Sequence, residues 1–367
     1  MSDVTLPVVD LDVFLSASPD SHEFTNECKK AADALITYGA LLLHDSRVSE
    51  EDNNTFLDLI EDYFAQPEEL LKQDERPELG YQACRCHPRE HREAKVRDPA
   101  ERPLDITAHS PDPKCRFFWK MSEKPPYETK YPALNAPNVV PKAEAIRERW
   151  TPIMEKWGSS MKTAVENLAE MAAIGLGLPR ETFKEAGRYG PHLLAPTASD
   201  LVKYGKKDTI LAGFHTDLNF LTIHGRSRYP GLNIWARNTG KRIPVKFPPA
   251  GRYLLVQAGK QLEHLSGGLI KAGYHEVVVN EATLQAIERR KTENPDRPLI
   301  RISSTFFWHL SSDYDLVPIP TLQERARALR ADTINLGKVD LDEETAYEPM
   351  KVGQQVQNEL RHIALMA

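Results

Sequence analysis

A chain of 367 residues, 41% hydrophobic and 27% charged, is too apolar to be disordered and long enough for about two domains or one large one. Its 47 basic and 53 acidic residues leave a net charge of −6, which argues against a non-specific nucleic-acid binder. Four cysteines make no disulfide framework in a chain this long. No apolar run reaches the roughly 18 residues of a membrane span, and the N-terminus lacks the basic and apolar parts of a secretory signal. A cytoplasmic protein in a reducing compartment is the expectation, with no membrane and no nucleic acid as partner.

The first predicted element is a short strand in Leu6-Pro7-Val8-Val9-Asp10-Leu11. Helical periodicity follows from Asp20, with Ala31, Ala32, Leu35 and Ile36 on one face, and Tyr38-Gly39 ends it. Ala40-Leu41-Leu42-Leu43 reads as a buried strand, and Phe56, Leu57, Leu59, Ile60 and Phe64 mark a second helix before Pro67. Residues 74–142 are rich in Pro, Arg and Asp with weak periodicity. They read as a long surface excursion, a candidate lid carrying Tyr81, Phe117, Phe118 and Trp119. Within it, the cluster from Cys84, Cys86 and His87 to His91, with Cys115 further on, lacks the usual C-x₂₋₄-C spacing of zinc sites, so its cysteines read as incidental free thiols on a loop rather than as a structural zinc site.

Glu144 to Leu178 sustains a helical stripe through Trp150, Met154, Trp157, Met161 and Leu168, a spine for something large. From about residue 193 short apolar runs alternate with Gly, Pro and Asn, the texture of a sandwich or barrel. A helix is predicted within 281–291, another over 322–331, and an amphipathic segment near 352–365. The expected organisation is a helical and loop region over 1–142, the long helix with a β core over 143–320, and a helical appendage over 321–367, all forming one integrated domain.

The sharpest local feature is Gly213-Phe214-His215-Thr216-Asp217. On an extended segment, residues i and i+2 share a side, so His215 and Asp217 can offer a nitrogen and an oxygen to one ion. Two histidines and a carboxylate on one face form the facial triad of non-haem Fe(II) oxygenases. Candidates for the second histidine are His224, His264, His275 and His309. His224 lies only nine residues on, along what reads as the same strand; His264 sits in an apparent turn. His275, 60 residues from His215, heads Tyr274-His275-Glu276-Val277-Val278-Val279, a strand able to pair beside the first. It is the histidine this reading selects. Arg301-Ile302-Ser303 also places Arg and Ser on one side of a strand, and its apolar neighbours Ile300, Ile302, Phe306 and Phe307 imply an inward guanidinium that demands an anion.

These motifs occur in order: His215-Thr216-Asp217, Phe220-Leu221-Thr222-Ile223, Pro230-Gly231-Leu232, Gly259-Lys260-Gln261-Leu262-Glu263, His275 and Arg301-Ile302-Ser303. Together they resemble the isopenicillin N synthase-like group of Fe(II)/2-oxoglutarate-dependent oxygenases. Leu6–Leu11 and Tyr38–Leu42 resemble that group's opening, so the likeness covers most of residues 5–320. The resemblance implies a mainly β protein with helical flanks, a distorted double-stranded β-helix (jelly roll) backed by a long helix. It implies Fe(II) on His215, Asp217 and His275, the distal carboxylate of 2-oxoglutarate on Arg301 and Ser303, and Tyr204 near the co-substrate. The activity implied is a dioxygenase that uses O₂ to hydroxylate, desaturate or rearrange a small molecule, releasing succinate and CO₂. Three departures stand out: Glu276 replaces the usual basic residue, the asparagine expected shortly before Tyr204 is absent, and 26 residues separate His275 from Arg301. The last reads as a helical insertion over 281–297. The competing readings are a 2-oxoglutarate-independent oxidase of the same fold and a non-catalytic binding protein with an idle metal site.

Overall fold

Ser21 starts the first long helix because its hydroxyl accepts the Phe24 N–H that the helix itself leaves unpaired. Gly39 ends it at φ 68°, a left-handed conformation that glycine adopts without strain. The computed structural model describes residues 5–75, 97–104, 112–248, 252–335 and 347–362. In chain order its helices are α1 (Leu11–Ser16), α2 (His22–Tyr38), α3 (Glu50–Phe64), α4 (Glu68–Lys72), α5 (Glu144–Gly175), α6 (Thr182–Gly187), α7 (Leu201–Tyr204), α8 (Lys260–Leu265), α9 (Glu281–Glu293), α10 (Pro320–Asn335) and α11 (Val352–His362). The early strands are β1 (Val8–Asp10), β2 (Ala40–His44), β3 (Cys115–Arg116), β4 (Trp119–Lys120), β5 (Leu193–Leu194) and β6 (Thr197–Asp200). Then come β7 (Ile210–His215), β8 (Leu221–His224), β9 (Leu232–Trp235), β10 (Arg242–Pro244), β11 (Tyr253–Ala258) and β12 (Tyr274–Val278). The last are β13 (Ile300–Ser303), β14 (Thr305–Trp308), β15 (Asp315–Leu316) and β16 (Met350–Lys351).

Two sheets build the jelly roll. One runs β1-β2-β11-β8-β14-β5-β4, the other β10-β9-β12-β7, and a three-stranded piece β13-β6-β3 completes the wall. Consecutive strands β7 and β8 belong to different sheets, so the chain crosses between layers at residues 216–220. Helix α5 buries Trp150, Met154, Trp157, Met161 and Leu168 at helical spacing. Trp157 also donates its indole N–H to Ser304 Oγ at 2.7 Å, tying the spine to the sheet. The approach of α5 to α2 is close enough that a Cβ on Gly175 would sit 2.0 Å from the Cys28 carbonyl oxygen. The largest apolar cluster draws side chains from Val9 through Val356. No helix among the described residues is long and apolar enough to cross a membrane.

Several local expectations change. Polar Asp10 ends β1 and caps α1, so a helix begins at Leu11 where the sequence suggests only an interrupted strand. The apparent turn around His264 is helix α8. Part of the excursion is structural: β4 adds to β5, and β3 adds to β6. Phe117 packs against Tyr63 and Trp150, with centroids 5.4 and 4.7 Å away, and buried Trp119 donates to Glu155. These two aromatics are core, not lid. Tyr81, Arg85, Cys84, Cys86 and His87 lie outside the described residues.

The insertion after β12 is α9, started by a reciprocal bond pair between Asn280 and Thr283. Its far end is fastened through Glu61 of α3, which is buried and accepts from Arg228, Arg290 and Arg297 at 2.7, 2.9 and 3.2 Å. Arg228 and Arg297 keep Asp58, and Arg297 keeps Asp62, as other partners. Breaking a buried pair costs about 3–5 kcal/mol, and those remaining carboxylates place Glu61→Ala at about 3 kcal/mol. Denaturant unfolding is the check; an unchanged midpoint would remove Glu61 from the account of how α9 is held.

Candidate active site

Strands β7 and β12 run antiparallel with His215 directly opposite His275. Register alone therefore brings together two histidines far apart in sequence, their ring centroids 4.2 Å apart. His215 Nδ1 lies 2.7 Å from the Gly213 carbonyl oxygen, and His275 Nδ1 lies 3.3 Å from that of Gly273. A carbonyl only accepts, so each Nδ1 donates a proton to it and each Nε2 is the nitrogen turned toward Asp217. Burial, with the charges of His275 and Lys114 next, holds His215 well below the usual histidine pKa, in its neutral form.

Asp217 stands just past the end of β7, at the start of the crossing. Its Oδ1 lies 3.8 Å from His215 Nε2 and its Oδ2 3.9 Å from His275 Nε2. One ligand atom from each of the three residues lies within 4.8 Å of the others. Thr222 of β8 donates to Asp217 Oδ2 at 2.7 Å, which fixes the carboxylate from the opposite sheet. The Lys260 N–H donates to the Asp217 carbonyl at 2.8 Å. Asp10, Asp12 and His44 form another close group, but there Asp10 and Asp12 already accept the N–H groups of Asp12 and Ser46.

Beside the triad lies a cavity of about 540 Å³, lined by His215, Asp217, His275, Arg301 and Ser303 among others. That is room for a co-substrate and a small organic molecule. Arg301 is buried, donates Nε–H to the Tyr229 carbonyl at 3.2 Å and reaches Ser303 Oγ at 2.6 Å. No carboxylate among the described residues pairs with it. Burial lowers its pKa to about 10, so it stays charged at neutral pH and is short of an anion.

The other expected residues fare differently. Tyr204 is 41% exposed and is not among the residues lining the cavity. Asp200 accepts the N–H groups of Val202 and Lys203 and winds the segment into the one-turn helix α7, which carries the phenol away. His224, which the sequence places too far along the strand, does line the cavity, with its ring 6.3 Å from that of His275. Thr305 and Gln257 engage its two nitrogens, and burial lowers its pKa to about 3. Glu276 faces the other way: it accepts from Asn233 and the Leu104 N–H, and burial raises its pKa. The sequence reading misses the orienting hydroxyl of Thr222 and the cavity lysine Lys114, which pairs with buried Asp112 at 2.7 Å.

The family model of the 2OG-Fe(II) oxygenase superfamily matches residues 188–310, the stretch that carries the triad and Arg301. Kihadalactone A synthase LFS of Citrus sinensis is 23% identical over 350 residues, covering 90% of each chain. Among solved structures, a full-length Neurospora crassa protein in complex with alpha-KG aligns over 98% of this chain and 97% of its own, with a TM-score of 0.70 and 18% identity. A 2OG-Fe(II) oxygenase family protein of Caulobacter crescentus aligns over 98% and 99%, with a TM-score of 0.67 and 20% identity. The shared fold is the double-stranded β-helix described above. With an end-to-end relative and that fold beside it, the matched core identifies residues 188–310 as a domain of the 2OG-Fe(II) oxygenase superfamily, and the protein as an Fe(II)- and 2-oxoglutarate-dependent dioxygenase.

Proposed function

We propose that His215, Asp217 and His275 hold the Fe(II), that Arg301 and Ser303 take the distal carboxylate of 2-oxoglutarate, and that the enzyme hydroxylates, desaturates or rearranges a small molecule with release of succinate and CO₂. One observation carries the reading: two facing imidazoles with Nδ1 anchored on carbonyls, and an oriented carboxylate between their free Nε2 atoms. The donor set suits Fe(II), since imidazole and carboxylate are its ordinary ligands in such enzymes and three of them leave positions open. When bound, the iron supplies the redox chemistry with O₂.

The chain's own part is positional. The carbonyls of Gly213 and Gly273 keep both imidazoles in the tautomer that presents Nε2. Thr222 keeps Asp217 aimed. Arg301, itself steadied by the Tyr229 carbonyl, fixes the far end of the co-substrate through a forked guanidinium. Apolar Ala212, Leu232, Val277 and Phe307 line the same cavity and keep it dry around the polar groups. The Citrus sinensis relative is named for the synthesis of kihadalactone A, which supports a small molecule as substrate here.

The test is a titration of the metal-free protein with Fe(II) under argon, then with 2-oxoglutarate, followed by succinate release against a panel of small acids, amino acids and aromatics. His215→Ala or His275→Ala retaining full Fe(II) affinity would sink the ligand assignment. A finer check is Thr222→Val, which keeps shape and removes the hydroxyl. Loss of such an orienting partner costs about 10–100-fold in metal affinity, and an Fe(II) affinity equal to that of the unaltered protein would count against the role given to Thr222.

A further inference from the structure

Among the described residues six basic side chains line the active-site cavity, Lys114, Arg116, Arg226, Lys246, Arg289 and Arg301, against the single carboxylate of Asp217. Their circumstances separate them. Lys114 is neutralised by Asp112. The Arg226 guanidinium lies over the Phe247 ring at 5.6 Å and donates to the Pro248 carbonyl. Buried Arg301 lies at the deep end and, on the reading above, takes the co-substrate. Lys246 and Arg289 are exposed, so they stand at the mouth, and no carboxylate among the described residues pairs with either.

Loading the site does not use up this mouth charge. A divalent cation, one carboxylate, a dicarboxylate co-substrate and one guanidinium are together neutral. Whatever enters next meets the cations of the rim in a walled cleft, where the field is focused and anions are concentrated. The source of Arg289 is equally informative. It belongs to α9, the insertion between β12 and β13, which also contributes Ala282 to the cavity lining. Glu61, through Arg290 on the same helix and Arg297 just beyond it, clamps that helix to α3. The insertion is thus held rigidly with one face on the cavity, as a recognition element must be.

We propose that the organic substrate is an anion carrying a carboxylate, received at the mouth by Arg289 of the α9 insertion together with Lys246; this rests on the reading that Arg301 serves 2-oxoglutarate. The two mouth cations set specificity and steer the acid inward. The apolar wall of Ala212, Leu232, Val277 and Phe307 packs the remainder of the molecule.

The experiment is calorimetric binding of indole-3-acetate, jasmonate and cinnamate, each beside its methyl ester, to the iron-loaded full chain under argon. It is run with and without 2-oxoglutarate, on the unaltered protein and on the Lys246→Gln/Arg289→Gln double variant. At least one acid is expected to bind more than about tenfold tighter than its ester. In the double variant that preference shrinks to about unity while 2-oxoglutarate affinity stays within about twofold. Esters binding as tightly as their acids, no acid binding below about 1 mM, or a preference that survives in the double variant each overturns the proposal. Failure of 2-oxoglutarate to bind the unaltered protein would instead overturn the role of Arg301, and the comparison made without 2-oxoglutarate would still stand.

Discussion

Asp217→Ala is expected to lower Fe(II) affinity by more than about 100-fold, beyond the 10–100-fold typical of removing a group that merely orients a ligand. The carboxylate is the only anionic donor lining the cavity among the described residues, and imidazoles, which carry no negative charge, cannot alone offset the charge of the ion. Metal-free stability changes little, because among the described residues Asp217 gives up one side-chain bond, from Thr222, and no ion pair with a Lys or Arg. The clearest readout is thermal. A ligand at a hundredfold excess over its Kd stabilises the native state by about 2.7 kcal/mol, and that increment disappears in the variant. Normal iron binding and normal succinate release by Asp217→Ala would show that another group holds the metal. Asp217→Asn is the informative companion: it keeps shape and one oxygen, so its loss isolates the charge.

The site is legible in the sequence where chemistry and strand alternation agree. His215 and Asp217 are two residues apart, and Ile300 and Ile302 around Arg301 announce a guanidinium on the inner face; Arg301 is indeed buried beside Ser303. His275 is legible because it stands near the start of β12, which pairs with β7. The misreadings share another cause, changes of direction that periodicity cannot register. His224 looks too distant only if one strand continues from Asp217, yet the chain crosses to the other sheet at 216–220 and β8 returns His224 to the same cavity. The order of motifs puts Tyr204 near the co-substrate, but the capping side chain of Asp200 winds the segment outward. The α9 insertion is legible as a helix from its pattern. Its contribution to the cavity is not, since that depends on Glu61 more than 200 residues earlier in the chain.

Arg301→Leu should weaken 2-oxoglutarate binding by about 30-fold to several thousand-fold, the range that follows from about 2–5 kcal/mol for truncating one partner of a buried charged pair. Fe(II) affinity in the absence of co-substrate should be unaffected, which separates this variant from Asp217→Ala. Arg301→Lys restores charge but not the planar fork, so an intermediate loss is expected. The pH dependence has a definite sign. Burial lowers the folded-state pKa to about 10, below the ordinary arginine value. The charged form, the one the proposed role requires, is therefore fully present at neutral pH, and 2-oxoglutarate affinity is expected to fall as pH rises through about 10. The same depression means that the empty site holds an uncompensated buried charge, a cost to folding below that pH which fades as pH rises above it. Replacing Arg301 with an apolar residue should leave the thermal midpoint of the empty protein unchanged or higher, while the rise on adding 2-oxoglutarate vanishes. A purely structural arginine would do the reverse, lowering the empty protein's midpoint and leaving co-substrate affinity intact, so the two midpoints and one titration decide between a binding residue and a structural one.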